Sequence, residues 1–254
     1  MKLYIDTADI ESIKKYKGHY DGITTNPVIL AKSGIFDPLL NKDRILELCE
    51  YSDCVSVMVT NNKNRDGLIK EALAIAEVSS KIYVKIPATK LGLSVLPFLR
   101  DIKTNLTCVT NPIQVLYGKR FGVNIISLFT GHVETNTGAS VKSFINNCVS
   151  YVENAMLLGA GMNCVQDIND CFEFGCDIVT VKPELFEKML DNRLTDKINE
   201  DFLYERKNII DYRKQSGSTS WYHNFTGTGV QMPDTQEQSI LYEVDAKGTE
   251  EEKV

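Results

Sequence analysis

Histidine, paired cysteine and clustered basic residues are all scarce in this chain, and each shortage narrows its chemistry. Among 254 residues there are only 3 histidines, His19, His132 and His223, and none stands at metal-ligand spacing from another. The 7 cysteines are odd in number and form no C-x-x-C pair. Neither a zinc knuckle nor a disulfide framework is expected; reduced, mostly buried thiols are. No metal and no cofactor is called for. Acidic residues outnumber basic ones by 34 to 28, and no basic cluster is interleaved with aromatics, so nucleic acid is an unsuitable partner. No apolar run reaches membrane-spanning length, and "MKLYIDTADI" enters an apolar strand directly with Asp6 inside it. No membrane partner and a cytoplasmic location are the expectation. The first strand-to-helix turn, "DTADI", has no glycine, which weighs against a dinucleotide-binding open sheet, the runner-up fold.

What the chain does contain is a regular alternation. Short apolar runs fall at 2–6, 22–25, 54–59, 81–87, 104–109, 123–129, 154–160 and 177–181. Helical spacing lies between several of them, as in "DPLLNKDRILELCEY" (37–51), "NRDGLIKEALAIAEVS" (64–79) and "INDCFEFG" (168–175). Eight strands, each followed by a helix, predict an α/β protein of the (β/α)8 TIM-barrel class. The barrel is expected over 1–205, with 206–254 as a C-terminal extension. Residues 192–214 have a helical pattern. A polar, glycine-rich tail follows, anchored only by Trp221, Tyr222, Phe225 and "ILYEV" (240–244). That extension is expected to be partly disordered or to dock on a neighbouring subunit.

Within "KIYVKIP" (81–87), Lys81, Tyr83 and Lys85 share one strand face. A lysine inside an apolar, β-branched run is unusual. On an open sheet it would face water; in a closed barrel that face is the interior. Catalytic groups of a barrel sit at the C-terminal strand ends. Those ends offer Asp6, Thr24, Thr25 and Asn26, then Lys85, Asn105 and Thr107, then Ser127 and Phe129, and a glycine-rich stretch around Ala160 and Gly161. A lysine ringed by a carboxylate, an amide and hydroxyls is equipped for Schiff-base chemistry, because desolvation lowers its pKa and leaves it nucleophilic. Plainer roles exist for each residue: Thr7 or Asp9 as a helix cap, "TTNP" as a turn, "NLT" as packing.

"LYIDTADI", "GITTNP", "IYVKIPAT", "NLT" and "LTDK" together resemble the transaldolase family, especially its short members, which include fructose-6-phosphate aldolases. The resemblance runs from about residue 2 to residue 205. It implies a barrel that moves a three-carbon dihydroxyacetone unit from a ketose donor to an aldehyde acceptor through a lysine Schiff base. It further implies a homo-oligomer, a pentamer or decamer. By that resemblance Lys85 is the Schiff-base lysine, Asp6 the acid/base, and Thr107 the holder of the catalytic water. Thr24, Asn26, Asn105 and Ser127 contact substrate. Phe129 stands where transferases carry phenylalanine and the aldolases carry tyrosine. The chain departs from the family on strand three, where Ser56 or Met58 replaces the usual water-positioning acid or amide. It departs again at the phosphate grip, where His132 replaces an arginine and Gly161-Met162-Asn163 replaces a serine-led motif. His132, Lys182 or Lys142 would have to substitute as the cation, or the bare backbone around Ala160 and Gly161 would have to bind the anion. Two alternatives stay open: an aldolase that releases free dihydroxyacetone, and a catalytically degraded member with a binding role.

Overall fold

The computed structural model describes residues 1–61, 63–138 and 140–216. Eight parallel strands close in sequence order into one barrel. They are β1 (Lys2–Asp6), β2 (Gly22–Thr24), β3 (Val55–Met58), β4 (Ile82–Pro87), β5 (Thr104–Val109), β6 (Ile125–Phe129), β7 (Met156–Ala160) and β8 (Ile178–Val181). Each lies within two residues of the corresponding apolar run at either end. Around them lie α1 (Ile10–Lys15), α2 (Pro27–Lys32), α3 (Lys42–Tyr51), α4 (Arg65–Ala76), α5 (Lys90–Val95) and α6 (Pro112–Phe121). The ring continues with α7 (Thr130–Thr137), α8 (Val141–Tyr151), α9 (Val165–Glu173) and α10 (Pro183–Leu190). This unit runs from Met1 to Asn192; a second unit begins at Arg193 and contains α11 (Arg193–Ser216). Trp221, Tyr222, Phe225 and the 240–244 segment, expected to anchor the tail, lie outside the described residues. No helix among the described residues is long and apolar enough to cross a membrane.

Two separate apolar cores follow from the period-two alternation of the strands. The larger lies between the outer strand faces and the helices and includes Ile5, Ile23, Val57, Val84, Ile86, Leu106 and Val109. The smaller fills the barrel's lower lumen with Tyr4, Cys54, Ile125, Leu158 and Ile178, with Tyr83 and Phe129 packed against it. Above that plug the inward positions turn polar. Thr24, Ser56, Lys85, Asn105, Thr107, Ser127 and Thr180 are all buried. The chemistry changes along the lumen axis, from apolar floor to polar mouth, and the polar end is where the candidate site residues lie.

Two glycines make this packing feasible by close approach. A Cβ at Gly22 would sit 2.5 Å from the Tyr4 ring, so glycine there lets the ring close the lumen floor. Gly92, in the first turn of α5, brings the helix so near β4 that a Cβ would stand 1.8 Å from the Pro87 carbonyl oxygen. Gly92→Ala is therefore expected to destabilise the barrel by roughly 2–4 kcal/mol, because overpacking against backbone cannot relax by a rotamer change. Thermal unfolding should show a fall in Tm of roughly 5–15 °C.

Candidate active site

Lys85 stands on the inner face of β4, paired in register with Met58 on β3 and Asn105 on β5. It is 5% exposed, and its Nζ donates to the Thr25 carbonyl at 2.8 Å. Burial pushes the ammonium below the ordinary lysine range, against the pull of the Asp6 carboxylate and, more weakly, the Cys108 thiol. Lys81, four residues earlier on the same strand, has the opposite fate. It lies at the barrel floor, half-exposed, with Nζ 2.9 Å from Asp53. One alternating pattern thus carries a solvated lysine and a desolvated one, separated by height in the barrel.

Two hydrogen-bonded chains flank Lys85. On one side the Thr24 hydroxyl donates to Asp6 Oδ1 at 2.6 Å. The Thr24 and Thr180 hydroxyls are also bonded to each other; with the Thr24 proton committed to Asp6, Thr180 is the donor. On the other side Ser127 Oγ donates to Asn105 Oδ1 at 2.7 Å, and Asn105 Nδ2 donates to Ser56 Oγ at 3.2 Å. These relays fix the orientation of the Asn105 amide and keep buried polar groups satisfied. Asn26 is the N-cap of α2, its Oδ1 accepting from Val28 N and Ile29 N at 2.9 Å each. The cap leaves its Nδ2 as the group that can face a ligand. Asp9, not Asp6, caps α1, so the Asp6 carboxylate is not consumed by the helix.

β5 carries an irregularity that the sequence pattern did not announce. On the β6 side Leu106 pairs with Ile126 but Val109 pairs with Leu128. Thr107 and Cys108 therefore oppose the single residue Ser127, which is a β-bulge. Cys108 has φ of 59°, the sole non-glycine in the left-handed region among the described residues. Leu106 and Val109 both remain in the outer core, and Cys108 comes within electrostatic range of Lys85. Burial raises the Cys108 thiol pKa against the opposing effect of that ammonium. The Thr107 hydroxyl is fully buried and has no hydrogen-bond partner. Such an orphan costs about 1–3 kcal/mol unless a water or a ligand meets it.

The far side of the mouth is sparser. Phe129 pairs in register with Ala160 and stacks against the His132 ring with centroids 5.5 Å apart. His132 is exposed on α7, and Gly161 follows β7 with φ of 85°. Lys142 lies on the outer surface over the Phe174 ring, at 5.2 Å, which takes it out of consideration as a phosphate ligand. Lys182 follows β8 directly and is exposed. Among the described residues no cluster of three His, Cys, Asp or Glu side chains is placed to hold a metal ion. The sequence reading missed Thr180 and Cys108. The parity of β8 could have found Thr180; nothing short of the register could have found Cys108.

The family model for transaldolase/fructose-6-phosphate aldolase matches residues 3–226. The chain belongs to that family. Membership puts it among enzymes of carbohydrate metabolism. A protein named "Probable transaldolase" from Petrotoga mobilis is 32% identical over 226 residues, covering 86% of this chain and all of the relative. Another of that name from Desulfosudis oleivorans is 32% identical over 216 residues, covering 82% and 98%. Among solved structures, 3-hexulose-6-phosphate synthase from Salmonella typhimurium superposes with a TM-score of 0.53 at 18% identity, covering 72% of this chain and 89% of that one. Orotidine 5'-monophosphate decarboxylase from Metallosphaera sedula gives 0.53 at 12%, covering 78% and 95%. At those identities the structures speak for the barrel alone.

The bulge makes a measurable demand on residue type. Cys108→Val should be less stable than Cys108→Gly by about 1–3 kcal/mol, because a β-branched residue is strained at positive φ and glycine is not. Urea unfolding of the two variants provides the comparison.

Proposed function

We propose that the chain is a transaldolase-like enzyme that transfers a dihydroxyacetone unit from a ketose to an aldehyde through an iminium on Lys85. The observation that carries this is the burial of the Lys85 amine at the mouth of the barrel, its ammonium form disfavoured by desolvation. The neutral amine adds to the ketose C2 carbonyl and water leaves, giving the iminium. Asp6 takes the proton of the C4 hydroxyl, the C3–C4 bond breaks, and its electron pair enters the iminium as an enamine. The first aldehyde departs. The enamine then attacks an acceptor aldehyde, Asp6 returns the proton, and hydrolysis frees Lys85. The Thr107 hydroxyl, buried without a partner, is suited to hold the water of the addition and hydrolysis steps. Ser56 accepts from Asn105, so its own O–H is the donor that it can offer the same water. Asn26 Nδ2, Asn105 and Ser127 are the polar groups for the donor's hydroxyls.

Transfer is favoured over release by Phe129. It stands at the end of β6 with no hydroxyl, so the enamine lacks a nearby phenol to protonate it and persists until an aldehyde arrives. A ketose donor incubated alone should give little free dihydroxyacetone; abundant release would make the enzyme an aldolase. A degraded binding protein would form no adduct at all.

Borohydride treatment in the presence of dihydroxyacetone or a ketose should fix a reduced adduct on Lys85, mapped by mass spectrometry, and Lys85→Met should abolish it. The same variant should gain stability. A lysine whose folded pKa lies below its unfolded value binds fewer protons in the folded state, so the cost of its burial is present at neutral pH and disappears above the ordinary lysine range. Removing the amine is expected to contribute on the order of 1 kcal/mol, a rise in Tm of about 2–4 °C.

Asp6→Asn separates two roles of the carboxylate. Turnover should fall by about 10²–10⁴-fold with the loss of the general base. The Asp6 charge raises the Lys85 pKa, so its removal should move the acid limb of borohydride trapping to lower pH. A limb that stays in place or moves upward would contradict that coupling.

A further inference from the structure

We infer that Lys182, at the end of β8, receives an anionic group at the far end of the aldehyde, so that the enzyme prefers a phosphorylated aldehyde to its neutral counterpart. This rests on the Lys85 reading and adds to it the residue that sets substrate charge. The course of the substrate across the mouth follows from Asp6. Asp6 takes the proton of the C4 hydroxyl, so the carbons beyond C4 leave the iminium on the β1 side of the lumen. In the closed barrel β1 is flanked by β2 and β8. On the β2 side the Thr24 hydroxyl is already bonded to the Asp6 carboxylate. On the β8 side Ile5 pairs with Val181, and one residue further along both chains Lys182 comes beside Asp6.

Lys182 is turned toward the mouth. Along β8 Ile178 packs in the lumen, Val179 and Val181 lie in the outer core, and Thr180 bonds to Thr24 inside the barrel. Lys182 keeps extended backbone angles, φ −68° and ψ 151°. The alternation therefore continues and sets its side chain on the lumen side, above Thr180. The residue is exposed, and among the described residues its ammonium has no ion-pair or hydrogen-bond partner. The neighbouring strand leaves room for a ligand. β7 ends at Ala160, and Gly161, with φ of 85°, breaks its alternation. Met162 is turned into the outer core instead, where Cys171 Sγ lies 3.8 Å from its sulfur. The last inward side chain of β7 is thus the Ala160 methyl, and its partner on β6 is the uncharged Phe129. A lysine beside that gap can reach phosphate oxygens with charge-assisted hydrogen bonds. The ends of strands seven and eight are a frequent phosphate site in barrels of this class.

Acceptor kinetics test this, with borohydride trapping on Lys85 of dihydroxyacetone, which has no tail, run in parallel. Wild type should use glyceraldehyde 3-phosphate with kcat/KM about tenfold or more above that for glyceraldehyde. Lys182→Met should lower that ratio about tenfold, chiefly by raising KM for the phosphorylated aldehyde, and Lys182→Arg should keep it. The Lys182 side chain makes no cap on α10, so the methionine variant removes a charge and not a support of the fold. Inorganic phosphate should compete with the phosphorylated aldehyde in wild type and lose that effect in Lys182→Met. Lys142→Ala, on the outer surface, should leave the ratio where it is; an equal fall there would make the effect one of overall charge and overturn the assignment. With dihydroxyacetone trapped on Lys85, a wild-type preference for glyceraldehyde, or a ratio unmoved in Lys182→Met, would overturn the Lys182 assignment alone. A ratio lowered by His132→Ala and not by Lys182→Met would put the cation on α7 and equally overturn it. Failure to trap any adduct at Lys85 would sink the Schiff-base reading, and this inference with it.

Discussion

The upper half of the barrel is organised around one buried amine. Lys85 has lost its water on every side and retains a hydrogen bond to the Thr25 carbonyl. An ammonium in that position is costly, and that cost shifts the balance from the charged toward the neutral amine. The Asp6 carboxylate moderates the shift from across the lumen, and Thr24 and Thr180 hold that carboxylate in place. A barrel suits this arrangement because it has no edge and its interior is dry. Eight strand ends can each contribute one side chain without exposing the backbone between them.

The lumen is divided by height. Tyr4, Cys54, Ile125, Leu158 and Ile178 fill the floor with apolar side chains. The polar layer above is almost wholly self-satisfied, with Ser127, Asn105 and Ser56 in one relay. The exception is the Thr107 hydroxyl, which lies beside the bulge at Cys108. An orphaned group and a strained residue side by side fit a region shaped by reaction rather than by stability.

Much of this was legible in the linear chain. Strand parity placed Asn105 with Thr107 and Ser127 with Phe129 on shared faces, and register agrees with it. "TTNP" was open to two readings, turn or ligand, and Asn26 turns out to serve the helix with its oxygen while keeping its amide nitrogen. Thr7 and Asp9 were both open as the cap of α1, and only coordinates single out Asp9, because a cap is decided by backbone angles at one residue. Thr180 and Cys108 were not found. The parity of β8 points Thr180 inward, but its partner lies 156 residues away in the chain; Cys108 depends on an extra residue in a ladder and leaves no local mark.

The amino-acid order by itself determined the class of fold, the positions of its strands and the presence of a lysine where a soluble strand has no use for one. Those properties depend on periodicity and on burial averaged over a segment, which are written residue by residue. Only the closed barrel decided which lysine is dry. Lys81 and Lys85 share a strand and a face, yet one reaches Asp53 and water at the floor and the other is enclosed by β2, β3 and β5 at the mouth. Desolvation is set by what neighbouring strands bring to the same height, and no stretch of one strand contains that information.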